Sequence, residues 1–279
     1  MTDTPDTDTD TDTAAPDVRP GEKLAAMRAA APLVQNITNY VAMNVMANAL
    51  LAAGASPAMV HAREESADFA AIASALTINI GTLSPEWVAS MEAAAASATA
   101  HGKPWVLDPV AVFATAYRAG VGARLAGLDP SLIRGNASEI LALSGAAAGG
   151  KGADAGDEVA TAEAGARALS ARTGGIVAVT GPVDYVTDGT RGYRISNGHP
   201  LMPKVTALGC SLTGICGAFL AAGETPLEDI AAALAFYGLA GERAAQGAGG
   251  PGSFAVAFID ALAAVTPEDL AAGARIASA

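Results

Sequence analysis

The sequence predicts an α/β fold: a mostly parallel sheet covered by helices on both faces. Three observations carry this. From about Gly21 onward, short apolar runs alternate with helical patterns, as repeated β-α-β units require. Polar residues collect at one end of those runs: Thr38 and Asn39 after the first, Asn79 at the third, Asp108 at the fourth, Arg134 and Asn136 at the fifth, Thr180 at the sixth. Neither a linker nor an internal repeat divides the 279 residues, so one domain over 19–279 is expected. In such sheets ligands bind outside the carboxyl ends of the strands, where these polar residues lie.

The elements follow in order. Leu33–Asn36 reads as a strand, Val41–Ala53 as a helix stopped by Gly54, Ser56–Val60 as a strand and Ser66–Ala75 as a helix. Leu76–Ile80 is the third strand. Ser84-Pro85-Glu86 supplies an N-cap, a first-turn proline and a first-turn acid for a helix ending at His101-Gly102. Trp105–Leu107 is a buried strand running into Asp108-Pro109, and Leu132–Arg134 is a short strand before the helix Ala137–Leu143. Ile176–Val179 ends in Thr180-Gly181. Tyr185–Thr187 and Tyr193–Ile195 flank Asp188-Gly189, an antiparallel hairpin. Thr225-Pro226-Leu227-Glu228 reads as a capping box, Gly250–Ser253 as a turn before the helix Phe254–Ala263, and Thr266-Pro267 caps a last helix.

Composition narrows the function classes. Apolar residues make up 51% and aromatics 5%, which suits close packing of alanine-rich helices. A net charge of −12 argues against nucleic acid or an anionic membrane as partner. Part of that charge is local, since residues 1–18 hold six aspartates in Thr/Asp/Pro repeats and read as a disordered, solvating tail. Cys210 and Cys216 fall on different faces of one helix, so no disulfide is expected. No signal peptide or spanning apolar stretch is present, which makes the cytoplasm the default compartment.

The chemistry centres on Lys204–Leu220. Leu212, Ile215, Cys216, Phe219 and Leu220 have helical spacing, so one face is expected to be buried, with Gly214 and Gly217 admitting a close neighbour and Gly223 as the stop. The preceding turn, Ala207–Cys210, presents backbone N–H groups at the positive end of that helix, a site for an anion. Cys210 lies in the first turn, where the helix field favours a thiolate. Asp108 and Glu139, in one crevice with Arg134, suit hydrated magnesium on a polyphosphate, because magnesium needs only one or two carboxylates. Plainer readings stand beside these: Glu139 as a first-turn acid, Asp108 as a turn residue before proline, Arg134 as a surface ion pair, Asn136 as a helix cap. Gly145–Gly152 nearly spells a phosphate-binding loop but lacks the final Ser/Thr and follows a helix, so it reads as a flexible glycine-rich loop. His61, His101 and His199 have no ligand spacing for zinc, and His101 suits a helix C-terminus.

Several segments together resemble the hydroxyethylthiazole kinases, thiamine-salvage members of the ribokinase-like superfamily. They are Leu33-Val34-Gln35-Asn36-Ile37-Thr38-Asn39, Gly54-Ala55-Ser56-Pro57-Ala58-Met59, Asn79-Ile80-Gly81-Thr82-Leu83, Leu107-Asp108-Pro109-Val110 and Ile133–Ile140. Val179-Thr180-Gly181, Asn197-Gly198-His199, Lys204-Val205-Thr206 with Gly209-Cys210, and Gly250–Phe254 continue the match in order, over roughly residues 22–270. The resemblance implies a three-layer αβα sandwich. It also implies ATP-dependent phosphorylation of the hydroxyl of 4-methyl-5-(2-hydroxyethyl)thiazole by a homotrimer with sites between subunits. Arg134 and Thr180 would bind ATP, and Asp108 and Glu139 would hold Mg2+. Met59, Asn39, Ala207 and Gly209 would contact the substrate. Cys210 would stand where most ribokinase-like enzymes place an aspartate base. The chain departs from the family at Ala207-Leu208, where members carry Gly-Thr or Gly-Ala, and at Ala111-Val112-Phe113, which replaces a glycine-containing stretch. Ala207 is expected to serve the anion turn only with a negative φ, and Leu208 puts bulk beside the phosphate path. Alternatives are a kinase of another vitamin-precursor alcohol such as a hydroxymethylpyrimidine, a ligand-binding homologue without turnover, and acyl transfer through Cys210.

Overall fold

The computed structural model describes residues 17–145 and 155–279. Its strands are β1 (Leu33–Ile37), β2 (Ser56–Ala58), β3 (Ala75–Asn79), β4 (Trp105–Asp108), β5 (Leu132–Asn136), β6 (Ile176–Thr180), β7 (Asp184–Thr187), β8 (Gly192–Ile195) and β9 (Ile276–Ser278). They form one nine-stranded sheet in the order β2-β1-β3-β4-β5-β6-β7-β8-β9. The pairings from β2 to β6 are parallel, and those from β6 to β9 are antiparallel.

Helices cover both faces because the strands alternate which side they feed. On β4, Trp105 and Leu107 enter one core and Val106 the other; on β6, Val177 and Val179 oppose Ala178 in the same way. One face carries α1 (Pro20–Ala30), α2 (Met43–Ala53), α8 (Leu208–Ala222), α9 (Pro226–Ala245), α10 (Pro251–Ala264) and α11 (Pro267–Gly273). The other carries α3 (Ser66–Ile72), α4 (Pro85–Ala100), α5 (Ala116–Ala126), α6 (Ala137–Ser144) and α7 (Ala155–Thr173). This is the three-layer ribokinase-like architecture.

The central helix α8 is enclosed all round rather than on one face: every residue from Ser211 to Leu220 is buried. It lies between the sheet and α1, α2 and α9. A Cβ at Gly217 would press on Thr77 Cγ2 of β3 at 3.0 Å, and one at Gly214 on Met46 Cε of α2 at 3.0 Å, so the small residues let side chains, not backbone, come close. Gly223 stops the helix in extended backbone, where a Cβ would overlap the Asp229 carboxylate.

Elsewhere several boundaries move. The first helix after β1 begins at Met43, α3 ends at Ile72 so that Ala75 already belongs to β3, and β2 ends at Ala58. The Thr225 capping box does not form: Thr225 Oγ1 accepts from Lys23 Nζ at 2.6 Å, and Glu228 turns to Arg191 and Tyr193. Val18, placed in the tail by the sequence, is 2% exposed and packs into the core. Residues 1–16 of that tail and 146–154 of the glycine-rich loop lie outside the described residues; Gly145 caps α6 at φ 79°. Helices α1, α5 and α7 and strand β9 are additional to the sequence reading. His101 is the C-cap of α4, and both cysteines are free.

Candidate active site

Register brings the polar strand ends together. Arg134 sits in β5 opposite Ala178, and Asn136 opposite Thr180. Arg134 is 9% exposed; its Nη2 donates to Thr180 Oγ1 at 2.8 Å and its Nη1 to the Gly209 carbonyl at 3.0 Å. Nη1 also lies 3.5 Å from Asp108 Oδ2. One buried arginine thus joins β6, the head of α8 and the end of β4. Burial works against its charge, and Asp108 with other nearby anionic groups outweighs that, so Arg134 stays a firm cation.

Asp108 is 1% exposed. Its Oδ2 accepts from Asn79 Nδ2 at 2.7 Å and Thr213 Oγ1 at 2.8 Å, while Oδ1 has no partner. Burial pushes its pKa up to about 6; Arg134 pulls it down and Glu139 adds to the rise. Glu139 is the N3 residue of α6 and forms the capping box with Asn136, taking the Asn136 N–H on Oε2 at 2.8 Å. Its Oε1 accepts the Ala111 N–H at 2.9 Å. Ala111 reaches it from left-handed backbone, φ 52°.

At the head of α8 the first intrahelical bond runs from Ser211 N–H to the Ala207 carbonyl, 2.9 Å. The N–H groups of Leu208, Gly209 and Cys210 precede it, and no side chain caps them. Ala207 adopts φ 66°, so the negative φ on which its service in the anion turn is conditioned is not met, although the three N–H groups remain uncapped by side chains. The turn therefore keeps the shape a glycine would give it, at a cost of about 1–2 kcal/mol for the Cβ. Leu208 is 4% exposed and lines the cleft beside the turn.

Cys210 Sγ is met at 3.3 Å by both Asn39 Nδ2 and Asn79 Nδ2, and Asn39 Nδ2 also donates to Asn79 Oδ1 at 2.9 Å. The thiolate expected from the helix field is not what this environment favours. Burial and the Asp108 charge push the thiol up, and the two amides with Arg134 only partly offset them. The group is a neutral thiol at neutral pH. Both of its neighbours are amides, which take no proton, so an acyl-transfer nucleophile has no base here.

Of the residues singled out from sequence, Asn39, Asp108, Arg134, Thr180, Gly209 and Cys210 form one hydrogen-bonded and ion-paired network through Asn79, and Glu139 acts on Asp108 and Arg134 through its charge alone. Met59 is half-buried after β2 and packs against the core that holds α2 and α8. A cleft of about 670 Å³ opens on the Arg134 and Thr180 side, lined also by Asp184, His199, Leu212 and Tyr237. Sequence reasoning passed over three of its supports. Thr213, three residues after Cys210 on one helix face, was visible by spacing. Asp184, whose Oδ1 accepts the Gly181 N–H at 2.9 Å and whose pKa burial pushes up to about 6, was not. Nor was Tyr237, whose hydroxyl donates to the Leu208 carbonyl at 2.7 Å and meets Ser211 Oγ at 2.6 Å, pinning the turn from behind.

Among the described residues no cluster of three or more His, Cys, Asp or Glu is present. Asp108 nevertheless has the chemistry for a magnesium ligand, whereas each oxygen of Glu139 already accepts a backbone N–H. Asp108 keeps a buried oxygen without a partner, and a hydrated magnesium ion asks for only one or two carboxylates.

The model of the "Hydroxyethylthiazole kinase family" matches residues 24–268. A hydroxyethylthiazole kinase of Cereibacter sphaeroides is 69% identical over 94% of this chain and 99% of its own length. One of Rhizobium johnstonii is 61% identical over 93% of this chain and 98% of its own. The solved hydroxyethylthiazole kinase protein of Pyrococcus horikoshii superposes with a TM-score of 0.86 at 41% identity, covering 93% of this chain and 98% of that one. The pyridoxal kinase of Staphylococcus aureus in complex with ADP shares the fold, with a TM-score of 0.59 at 16% identity over 76% of this chain and 88% of that one.

Proposed function

The chain belongs to the hydroxyethylthiazole kinase family, and on that premise we propose that its crevice transfers the γ-phosphoryl group of ATP to the hydroxyl of 4-methyl-5-(2-hydroxyethyl)thiazole, in thiamine biosynthesis or salvage. One observation carries the reading from family to site. Arg134 holds Thr180 and the Gly209 carbonyl together, 3.5 Å from Asp108, so a nucleotide gripped by the first two has its phosphates at the head of α8.

In this reading Arg134 and Thr180 bind ATP, and the N–H groups of the Ala207–Cys210 turn take charge developing on the transferred phosphoryl oxygens. The alcohol oxygen attacks phosphorus as the bond to the bridging oxygen of ADP breaks. Asn39 and Met59 hold the thiazole, with Ala207 and Gly209 alongside. Cys210 orients the alcohol as a neutral thiol, and its ionised fraction, which loses its proton to solvent and grows as pH rises, takes the alcohol's proton; a loose phosphoryl-transfer transition state asks little of a base. Asp108 and Glu139 would hold Mg2+, which would supply charge neutralisation to the polyphosphate.

Tyr40, Val41, Leu51 and Ile72 are large apolar side chains exposed at the β2 end of the sheet, which supports assembly as a homotrimer with sites between subunits. No described helix is long and apolar enough to cross a membrane. Separately, the net charge of −12 supports a reading without a nucleic-acid or anionic-membrane partner, and we take residues 19–279 as one kinase domain of a cytoplasmic enzyme.

A panel of alcohols offered with ATP tests the substrate. The thiazole alcohol is expected to give the highest kcat/KM; preference for a hydroxymethylpyrimidine would move the chain to another vitamin-precursor kinase, and nucleotide binding without any turnover would make it a ligand-binding homologue.

A further inference from the structure

Most arginines with a partner in this chain pair with carboxylates: Arg124 with Glu92, Arg194 with Glu163, Arg243 with Asp269, Arg275 with Glu242. Arg118, with Arg28, Arg167 and Arg172, belongs to the smaller group held by carbonyls. It is the N3 residue of α5, its N–H held by the Thr115 hydroxyl, and it lies half-buried with no carboxylate in ion-pair range among the described residues. Its guanidinium binds three backbone carbonyls instead. Nη1 donates to Ile80 at 2.7 Å and Val110 at 3.0 Å, and Nη2 donates to Gly81 at 2.8 Å.

Those carbonyls belong to the two loops that carry the reacting groups. Ile80 and Gly81 follow Asn79, whose amide holds Asp108 Oδ2 and Cys210 Sγ and whose oxygen accepts from Asn39 and the Gly81 N–H. Val110 precedes Ala111, the left-handed residue whose N–H holds Glu139 Oε1. We infer that Arg118 is a positioning residue for phosphoryl transfer: one cation, behind the site, sets the register between the Asn79–Asp108–Cys210 group and the Ala111–Glu139 group. The role rests on the kinase reading above. A fork of rigid donors suits it, because a lysine ammonium presents its bonds from a single point and does not span both loops at once.

The chain contains its own control. Arg28 also binds carbonyls alone, those of Ala53, Leu262, Ala263 and Val265, but ties the end of α2 to the end of α10. Arg118→Met, Arg118→Lys and Arg28→Met are compared in the full chain by kcat, KM for ATP, thermal midpoint, and binding of Mn2+ alone followed by electron paramagnetic resonance. Arg118→Met is expected to lose turnover roughly 10- to 100-fold, the scale for residues that orient ligating groups. It is also expected to bind Mn2+ more weakly, keep the KM for ATP, and regain turnover with added guanidinium ion. Arg118→Lys should fall between it and wild type. Arg28→Met is expected to lose thermal stability and keep turnover.

Wild-type turnover in Arg118→Lys together with unchanged Mn2+ binding would overturn the role. So would a loss that follows the folded fraction alone, resists guanidinium, or appears equally in Arg28→Met. Wild-type protein that releases no ADP would instead overturn the kinase reading on which the role rests.

Discussion

Asp108→Asn separates what the buried carboxylate costs the fold from what it does in the site. In the unfolded chain the group titrates near 3.8, and in the folded chain burial raises it to about 6. Between those values the folded state holds a proton that the unfolded chain has released. Stability therefore falls as pH rises through this window. The full difference amounts to about 3 kcal/mol above pH 6, and to about half of that at pH 5. Asparagine keeps the shape, still accepts from Asn79 and Thr213, and carries no charge to desolvate. Urea denaturation at pH 8 is expected to show Asp108→Asn more stable than wild type by about 3 kcal/mol, narrowing as pH falls to 5. Turnover of the same variant should drop by roughly 10²–10³-fold, the scale for losing one preorganised electrostatic group. A variant less stable than wild type at pH 8 would refute the reasoning, since it would mean that Arg134 needs the carboxylate more than the fold suffers from it.

Other expectations follow from the same geometry. Arg134→Lys cannot hold Thr180 and the Gly209 carbonyl together, so its affinity for ATP, measured by calorimetry, should fall about tenfold or more. Cys210→Ala should lose about 10²–10⁴-fold in turnover with little change in ATP affinity, and wild-type turnover should climb with pH above neutrality as the raised thiol ionises. Unchanged turnover in the variant would remove the cysteine from the mechanism. Ala207→Gly relieves the left-handed backbone; set against glycine's extra freedom in the unfolded chain, the urea midpoint should correspond to a gain of about 0.5–1 kcal/mol with turnover retained.

Much of the sheet was legible because its strands are short apolar runs with polar ends, and period and punctuation agree there. The β7–β8 hairpin and the helix starting at Ser84-Pro85 are local and came out as read. The helices that escaped lack a local signal. Helix α5 carries Gly122 because a Cβ would overlap Val112, a tertiary reason that looks like a helix breaker in sequence. Helix α7 is alanine-rich and buries mostly small side chains, Ala162 and Ala166 with Leu169, so its apolar face is faint in sequence, and β9 is too short for a period to register. At the site, strand-end chemistry showed Asp108, Arg134 and Thr180. The left-handed alanines at 111 and 207 were invisible, because the surrounding structure imposes a conformation that alanine does not signal. The raised Cys210 thiol was equally hidden, since the helix field is local while the burial and the Asp108 charge that oppose it come from parts of the chain distant in sequence.

ADP release on the thiazole alcohol, with and without magnesium, tests most directly whether the head of α8 transfers phosphate. Stoichiometric ADP and alcohol phosphate, dependent on both magnesium and the alcohol, is the expected result. ADP release that ignores the alcohol, or none at all from protein that binds ATP, would contradict it.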